Sequence, residues 1–171
     1  MKIALSFLLL MFLATGAHAQ TAQIDHIDIL EAGIYAGDRA PCNLSDVGIN
    51  YCDVSNERLT AATTTIPAQQ GLNFGVRIRP VGAPEGTTVT LKRVWIYPPQ
   101  GIHAPSNAQP VRRLEDDWPV VIGRADIESY NLTDPWELVP GVWTFELRDG
   151  NRRLVSQQFT VVDDKCRSAC S

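Results

Sequence analysis

The sequence has few of the residues on which most catalytic and metal sites depend. Histidine occurs three times and methionine twice in 171 residues. One histidine and both methionines lie within the first 19 residues, which leaves His26 and His103 for the rest of the chain. This scarcity nearly excludes a histidine-based catalytic triad or a three-histidine metal site. The lack of methionine after residue 19 also removes the thioether ligands of a soft copper site.

The signatures of common enzyme classes are missing as well. The sequence has no Gly-x-Ser-x-Gly elbow, no His-Glu-x-x-His pair and no glycine-rich loop of the kind that holds phosphate. The formal net charge of −4 argues against non-specific binding to nucleic acid or anionic lipid, because both require a basic surface. We therefore expect a protein that is not an enzyme, uses no cofactor or metal, and does not bind nucleic acid.

The sequence contains one long apolar run, which stands at its beginning. Lys2 precedes the run 3–13, and Ala17-His18-Ala19 supplies the small residues of a cleavage site. The run is too short to span a bilayer, so the pattern predicts a signal peptide over residues 1–19 that is removed before Gln20. No later run is apolar for long enough to form a transmembrane helix. We therefore expect an exported, soluble protein.

Four cysteines follow the predicted signal: Cys42, Cys52, Cys166 and Cys170. An even number in an exported chain favours disulfides, and of the three connectivities we favour Cys42–Cys52 with Cys166–Cys170. Closing the loop of about ten residues in the first pair would stabilise the fold by about 2–3 kcal/mol on the chain-entropy model. The second pair has alternatives, namely a redox or metal-binding role, or free or intermolecular thiols.

Apolar and polar residues alternate along several segments, whereas no segment after the signal shows a sustained 3.6-residue period. In the clearest case, Trp, Phe and Leu alternate with polar residues over 143–147 and lead to the turn dipeptide Asp149-Gly150. A second alternating run follows, so the pattern predicts a terminal β-hairpin. The β-branched run 58–66 predicts a single strand, and a phase slip near Lys92-Arg93 predicts a β-bulge.

These patterns predict an all-β protein. Seven or eight short strands with Gly and Pro between them favour an antiparallel sandwich of two sheets over residues 20–162. Two segments lack any apolar period and are predicted to be long loops, 37–56, which carries the first cysteine pair, and 98–118. Residues 163–171 are predicted to form a C-terminal tail that carries the second pair.

Four runs of the sequence carry a resemblance to a known family. They are IDILEAGIY (27–35), TTTIPAQQGLNFGVRIRPVGAPEG (63–86), IGRADIESY (122–130) and WELVPGVWTFEL (136–147). Through them, most of residues 24–162 resembles an exported bacterial family classified as a domain of unknown function, family 3859. The resemblance implies an immunoglobulin-like domain in the periplasm or the medium, and it brings no activity, cofactor or catalytic residue. The cysteine-bearing loop and the cysteine tail depart from the family's common pattern.

Three aromatic residues flank the second long loop: Trp95, Tyr97 and Trp118. If exposed, they are candidate ligand contacts that would stack on sugar rings or dock an extended peptide. If buried, they belong to the core. The acidic run 115–117, which lies nearby, is expected to be solvated charge.

We interpret the chain as an exported, non-enzymatic binding or structural module whose two long loops are its contact surfaces. Its partner would be a protein or a small ligand. The first alternative is a small-ligand or carbohydrate binder that uses Trp95, Tyr97 and Trp118. The second alternative is a thiol-redox or metal-handling protein that uses Cys166 and Cys170.

Overall fold

The structure, a computed structural model, describes residues 21–44, 48–105 and 107–163. Within these ranges the chain forms nine strands and a single turn of 3₁₀ helix at Pro135–Glu137. The strands are β1 (Gln23–Leu44), β2 (Asn50–Ala61), β3 (Thr65–Pro67), β4 (Asn73–Ala83), β5 (Thr88–Ile96), β6 (Arg113–Val121), β7 (Asp126–Asn131), β8 (Gly141–Asp149) and β9 (Arg152–Val162).

The strands of the described ranges form two sheets that pack face to face. The four-stranded sheet has the order β2-β1-β4-β7, and the five-stranded sheet has the order β3-β9-β8-β5-β6. All strand pairs are antiparallel apart from β3 with β9. The predicted all-β sandwich is confirmed, with one short parallel strand in place of a purely antiparallel arrangement.

The strand predicted over 58–66 is divided between the two sheets. Its first part is the end of β2, which pairs with β1, and its last part is β3, which pairs with β9 in the other sheet. Ile66 is fully buried there. The run of β-branched residues favours extended backbone throughout, so its composition contains no sign of the change of sheet. This division raises the strand count above the predicted seven or eight.

Aromatic side chains fill the space between the sheets. Phe74, on β4, meets the rings of Trp95, Trp143 and Phe159 edge to face, with ring centroids 5.7, 5.9 and 5.1 Å away. Such contacts add to the free energy gained from burying the rings. The predicted terminal hairpin is confirmed, because β8 pairs with β9 and places Trp143 beside Phe159 in the core.

The predicted loop 37–56 is wrong over most of its length, because β1 and β2 continue through it. β1 pairs with β4 as far as Tyr35, which lies opposite Asn73. Beyond that pair, β1 and β2 pair with each other, with register shifts between Ala36 and Asp38 and between Arg39 and Cys42. These irregularities remove the apolar alternation by which a strand is recognised in a sequence. We call residues 36–44 and 48–60 the ribbon.

The ribbon folds back across the outer face of the four-stranded sheet. Asn73, Ser129 and Asn131 lie on that face, because each alternates with a core residue of β4 or β7. Ser129 Oγ donates to Glu57 Oε1 at 2.6 Å, and Arg39 Nη2 donates to Asn131 Oδ1 at 2.7 Å. Since β7 is at the opposite edge of the sheet from β2, these bonds require the ribbon to cross the sheet.

The Cys42–Cys52 disulfide predicted from the sequence is present, and it joins the two strands of the ribbon. We expect its loss to lower the free energy of unfolding by about 2–3 kcal/mol, because the crosslink restricts the unfolded chain. The measurement is urea denaturation of Cys42→Ala/Cys52→Ala against its parent, both carrying Cys166→Ser and Cys170→Ser to prevent thiol exchange. Equal midpoints would show that the disulfide does not stabilise the fold.

The predicted loop 98–118 is shorter than expected, because β6 begins at Arg113. Trp118 therefore lies within a strand. Residues 97–112 form the connection, which is fastened by mutual backbone hydrogen bonds of 2.8 Å between Ile102 and Val111. The sequence analysis did not predict β6 because of the acidic residues 115–117, since a run of like charges usually indicates a solvated loop.

Candidate functional site

A cleft of about 280 Å³ opens where the edge strands β6 and β7 of the two sheets face each other. Its inner wall is formed by the β5 residues Arg93 and Trp95 and by Trp118 of β6. β7 contributes Glu128 and Tyr130, and the ribbon closes one side. The part of the ribbon that lines the cleft includes Ile49, Cys52, Asp53, Val54 and Glu57.

Arg93 links the two sheets inside the cleft. Its Nη1 donates to Glu128 Oε2 at 2.6 Å, while its Nε donates to Asp116 Oδ1 at 2.8 Å and its Nη2 to Asp116 Oδ2. The indole Nε1 of Trp95 donates to the other oxygen of Glu128 at 3.0 Å. The guanidinium carbon of Arg93 also lies 5.9 Å from the ring centre of Trp118, within the range of a cation–π contact.

Burial and ion pairing have opposite effects on the pKa values of this network. Burial raises the pKa of Glu128, and the nearby Arg93 guanidinium and the Trp95 indole offset part of that rise. The Glu128 side chain is 7% exposed and that of Arg93 is 29% exposed. Glu128 and Asp116 raise the pKa of Arg93 above its ordinary value although burial opposes them. Removing two charges from water costs several kcal/mol per ion, so a network of this kind is costly to build inside a sandwich.

Carboxylates outnumber cations around the cleft. Arg93 is shared by Asp116 and Glu128. Asp53 and Glu57 lie on the ribbon side, and Glu57 Oε1 accepts hydrogen bonds from Asn73 Nδ2 at 2.8 Å and from Ser129 Oγ at 2.6 Å. Both donors are uncharged, so the negative charge of Glu57 is not neutralised by them. The cleft is therefore acidic and rich in hydrogen-bond acceptors.

The rest of the acidic run 115–117 is paired with one cation of β5 and one of β6. Lys92 Nζ lies 2.7 Å from Asp117 Oδ1, and Arg113 Nη2 lies 2.6 Å from Glu115 Oε2. Arg93 pairs with Asp116. The three acids of β6 thus each have a cation, and Glu115 and Asp117 are exposed, as expected for solvated charge.

A second buried carboxylate lies behind the cleft. Glu137 ends the 3₁₀ helix and accepts the hydroxyl of Tyr130 at 2.7 Å. Its other oxygen accepts the backbone N–H groups of Thr133 and Asp134 at 2.6 and 2.7 Å. Burial raises the pKa of Glu137 to about 7, although these three hydrogen bonds favour the charged form. The turn that leads out of β7 is thus fastened to a group that titrates near neutral pH.

The three aromatic candidates have different positions in the structure. Trp95 and Tyr97 are each 3% exposed and belong to the core, so their rings cannot stack on a ligand in this conformation. Trp118 is half-buried and lines the cleft. Cys52, which lines the cleft, is joined to Cys42 by the disulfide. Cys166 and Cys170, and the predicted signal peptide, lie outside the described residues.

The sequence interpretation missed Arg93 and Glu128. β5 pairs with β6 without a bulge, so Leu91, Arg93, Trp95 and Tyr97 all face inward. The predicted phase slip was the effect of a charged residue at an inward position. The alternation continues without interruption through Arg93. This signal could have placed Arg93, Trp95 and Tyr97 in the interior.

Within the described part of the chain, no group of three or more His, Cys, Asp or Glu side chains is placed to hold a metal ion. No helix in the described ranges is long and apolar enough to cross a membrane.

The two packed sheets and the cleft at their edge define an immunoglobulin-like β-sandwich domain. The chain belongs to the family described as a domain of unknown function (DUF3859), whose family model matches residues 23–161. This confirms the resemblance stated from the four sequence runs.

Several solved structures match the chain. An immunoglobulin-like protein from Pseudomonas aeruginosa is 27% identical and superimposes with a TM-score of 0.52, over 86% of this chain and 100% of that protein. A β-glucosidase from Erythrobacter marinus is 18% identical, with a TM-score of 0.32, over 58% of this chain and 14% of the enzyme. The second likeness is too weak to carry an argument. No curated protein sequence matches the chain.

Proposed function

We propose that the protein is a non-enzymatic binding module that acts outside the cytoplasm and holds its ligand in the cleft between β6 and β7. The observation that carries the proposal is the position of Arg93, Asp116 and Glu128. The space between the sheets is filled by apolar and aromatic side chains. The charged network stands at the opening of the sandwich, beside the accessible ring of Trp118.

The energetics of the network support a role in binding. Replacing a buried ion pair by well-packed apolar residues often leaves stability unchanged or increases it. Stability alone therefore does not explain why the chain has this pair. A binding site gives such a reason, because polar groups held in place before binding fix the orientation of a ligand. Arg93 and Glu128 are held by strands of both sheets, and such groups need little reorganisation when a ligand arrives.

The chemistry of the cleft favours a ligand that donates hydrogen bonds. Asp53, Glu57 and Glu128 provide acceptors, and Trp118 provides an apolar face. Sugars and amines both combine donors with a surface that packs on an indole ring. We favour a carbohydrate, as in the alternative drawn from the sequence, with Trp118 as its stacking residue. Trp95 holds Glu128 in position by donating its indole N–H to the carboxylate.

Two features support the proposal that the protein is exported. The chain has the Cys42–Cys52 disulfide, and disulfides persist in oxidising compartments and are rare in the cytosol. The first 19 residues have the pattern of a signal peptide. The bacterial periplasm, or secretion from the cell, fits both features.

We expect Trp118→Ala to weaken ligand binding at least tenfold, because truncating an aromatic residue at the centre of a site removes most of its contact. The probes are an oligosaccharide array and, in parallel, spermidine, with affinities measured by calorimetry. The matched control is Trp136→Ala, because Trp136 packs against the core but does not line the cleft. Melting curves verify that both variants are folded.

Binding of an oligosaccharide that is lost in Trp118→Ala and kept in Trp136→Ala would support a carbohydrate site. Binding of spermidine with the same pattern would keep the cleft as the site but change the ligand to an amine. If neither class binds, or if Trp118→Ala binds as well as the parent, the proposal is wrong.

A further inference from the structure

One wall of the cleft is held in place differently from the others. β5, β6 and β7 are held by the strand pairing of the two sheets, whereas the remaining wall is the ribbon, which supplies Ile49, Asp53 and Val54. Ile49 is 1% exposed and packs in the core, although it stands just before β2. The position of the ribbon therefore decides how far this side of the cleft is closed.

The part of the ribbon that carries the disulfide has little support from the sheets. β1 pairs with β4 only as far as Tyr35, and β2 is an edge strand whose one partner in the described ranges is β1. A register shift interrupts the pairing of β1 with β2 between Arg39 and Cys42. A ribbon of two strands is at best marginally stable in water. The bond from Cys42 to Cys52 is therefore the covalent link that keeps the two strands together beyond Arg39.

The disulfide lies where a thiol can reach it. Cys42 is exposed, and Cys52 is half-buried and lines the cleft. Exposed disulfides are reduced more readily than buried ones, and regulatory disulfides belong to the exposed class. Thr133 Oγ1 lies 3.8 Å from Cys52 Sγ. A hydroxyl in this position can donate to a thiolate on Cys52, which makes Cys52 the better leaving group of the two cysteines.

We propose that the Cys42–Cys52 disulfide is a redox switch that controls the cleft. The oxidised form keeps the ribbon in place against the cleft, and reduction by a dithiol releases the ribbon and opens that wall. The inference rests on the proposed function, because it names a regulation of the same binding site. In an oxidising compartment the closed form is the resting state, and a dithiol reductant produces the open form.

Reduction proceeds through two exchange steps. A thiolate of the dithiol attacks Cys42 Sγ and forms a mixed disulfide, while the bond to Cys52 breaks and Cys52 leaves as a thiolate. The second thiolate of the dithiol then attacks the reductant's sulfur in the mixed disulfide. Cys42 leaves as a thiolate, and the reductant departs with an internal disulfide. Each thiolate of the protein takes up one proton, so two electrons and two protons pass from the dithiol to the protein.

The test is hydrogen exchange of the backbone amides, measured by mass spectrometry in native buffer with and without dithiothreitol. The full chain carries Cys166→Ser and Cys170→Ser, so that Cys42 and Cys52 are its only cysteines. We expect reduction to raise the exchange rates over residues 50–57 by about tenfold or more, because the ribbon opens locally. The amides of β8 and β9 should stay protected over the same labelling times.

A matched variant shows whether the reductant acts through this disulfide. Cys42→Ser/Cys52→Ser in the same background should exchange over residues 50–57 as the reduced protein does, with or without dithiothreitol. Calorimetric titrations with oligosaccharides and with spermidine then compare the oxidised and reduced forms. The probe that binds the oxidised form should bind the reduced form about tenfold more weakly or less, because the ribbon residues leave the site.

Four results would overturn the switch. The disulfide resists dithiothreitol in native buffer, reduction leaves exchange over residues 50–57 unchanged, β8 and β9 lose protection together with the ribbon, or the probe binds both forms equally. A different result separates this inference from the proposed function. If the ribbon opens on reduction but neither oligosaccharide nor spermidine binds either form, the proposed function is wrong and the redox-controlled ribbon stands.

Discussion

Arg93→Met is expected to lower the free energy of unfolding by about 3 kcal/mol at neutral pH, because it leaves Glu128 buried without its cation. Glu128 Oε2 loses the 2.6 Å contact to Arg93 Nη1, and the 3.0 Å contact from the Trp95 indole remains on Oε1. Methionine fills most of the volume of the arginine stem, so the loss of charge pairing dominates the effect. The measurement is chemical denaturation at fixed pH.

A double variant separates the loss of charge pairing from the change in side-chain volume. In Arg93→Met/Glu128→Gln the buried site is neutral, and the glutamine can still accept from Trp95, so most of the lost stability should return. Arg77→Met serves as the surface control, because its only ion pair with the described residues is a 3.8 Å contact to Glu31 between half-exposed side chains. It should change stability by less than about 0.5 kcal/mol. A double variant no more stable than Arg93→Met would contradict this account of the pair.

The second large effect concerns Glu137 and pH. Its pKa is about 7 in the folded protein against 4.5 for an unburied glutamate. The folded state therefore binds the proton more tightly than the unfolded state. The contribution of protonated Glu137 to the free energy of unfolding is complete below pH 4.5 and is lost as the pH rises through 7. A difference of this size corresponds to about 3 kcal/mol, so the free energy of unfolding should fall by roughly that amount between pH 4.5 and pH 8.

Glu137→Gln tests the assignment. The amide oxygen can accept from the backbone of Thr133 and Asp134, and the amide nitrogen can donate to the Tyr130 hydroxyl, so the turn keeps its hydrogen bonds. The variant should match the parent near pH 4.5 and be more stable than the parent at pH 8. Glu128 also has a raised pKa, so a slope of the same sign should remain in the variant. An unchanged pH profile would show that Glu137 does not titrate in this range.

The parts of the fold that follow from local alternation could be predicted from the sequence. The hairpin of β8 and β9 alternates regularly and ends at a turn dipeptide, and it is present as expected. The Cys42–Cys52 bridge followed from cysteine number and spacing. Both features depend on residues that are near in sequence, so a single sequence contains the information that specifies them.

The site depends on contacts between distant residues, and these leave little trace in the sequence. The ribbon is fastened by Arg39 to Asn131 and by Glu57 to Ser129, pairs that are 92 and 72 residues apart. Arg93 and Glu128 are charged residues on inward positions, where alternation alone predicts apolar side chains. Their mutual contact explains both positions, and it becomes visible when the two sheets are placed together.

The most direct test of the proposed binding site is an NMR titration that follows the indole N–H signals of the full chain. The titrant is the oligosaccharide or amine that gives the strongest binding. Trp118 lines the cleft, and the Trp95 indole donates to Glu128 at its base, whereas Trp136 does not line it. A ligand in the cleft should shift the Trp118 and Trp95 signals together and leave that of Trp136 in place. Saturable binding without a shift at Trp118 or Trp95 would place the ligand elsewhere and contradict the proposed function.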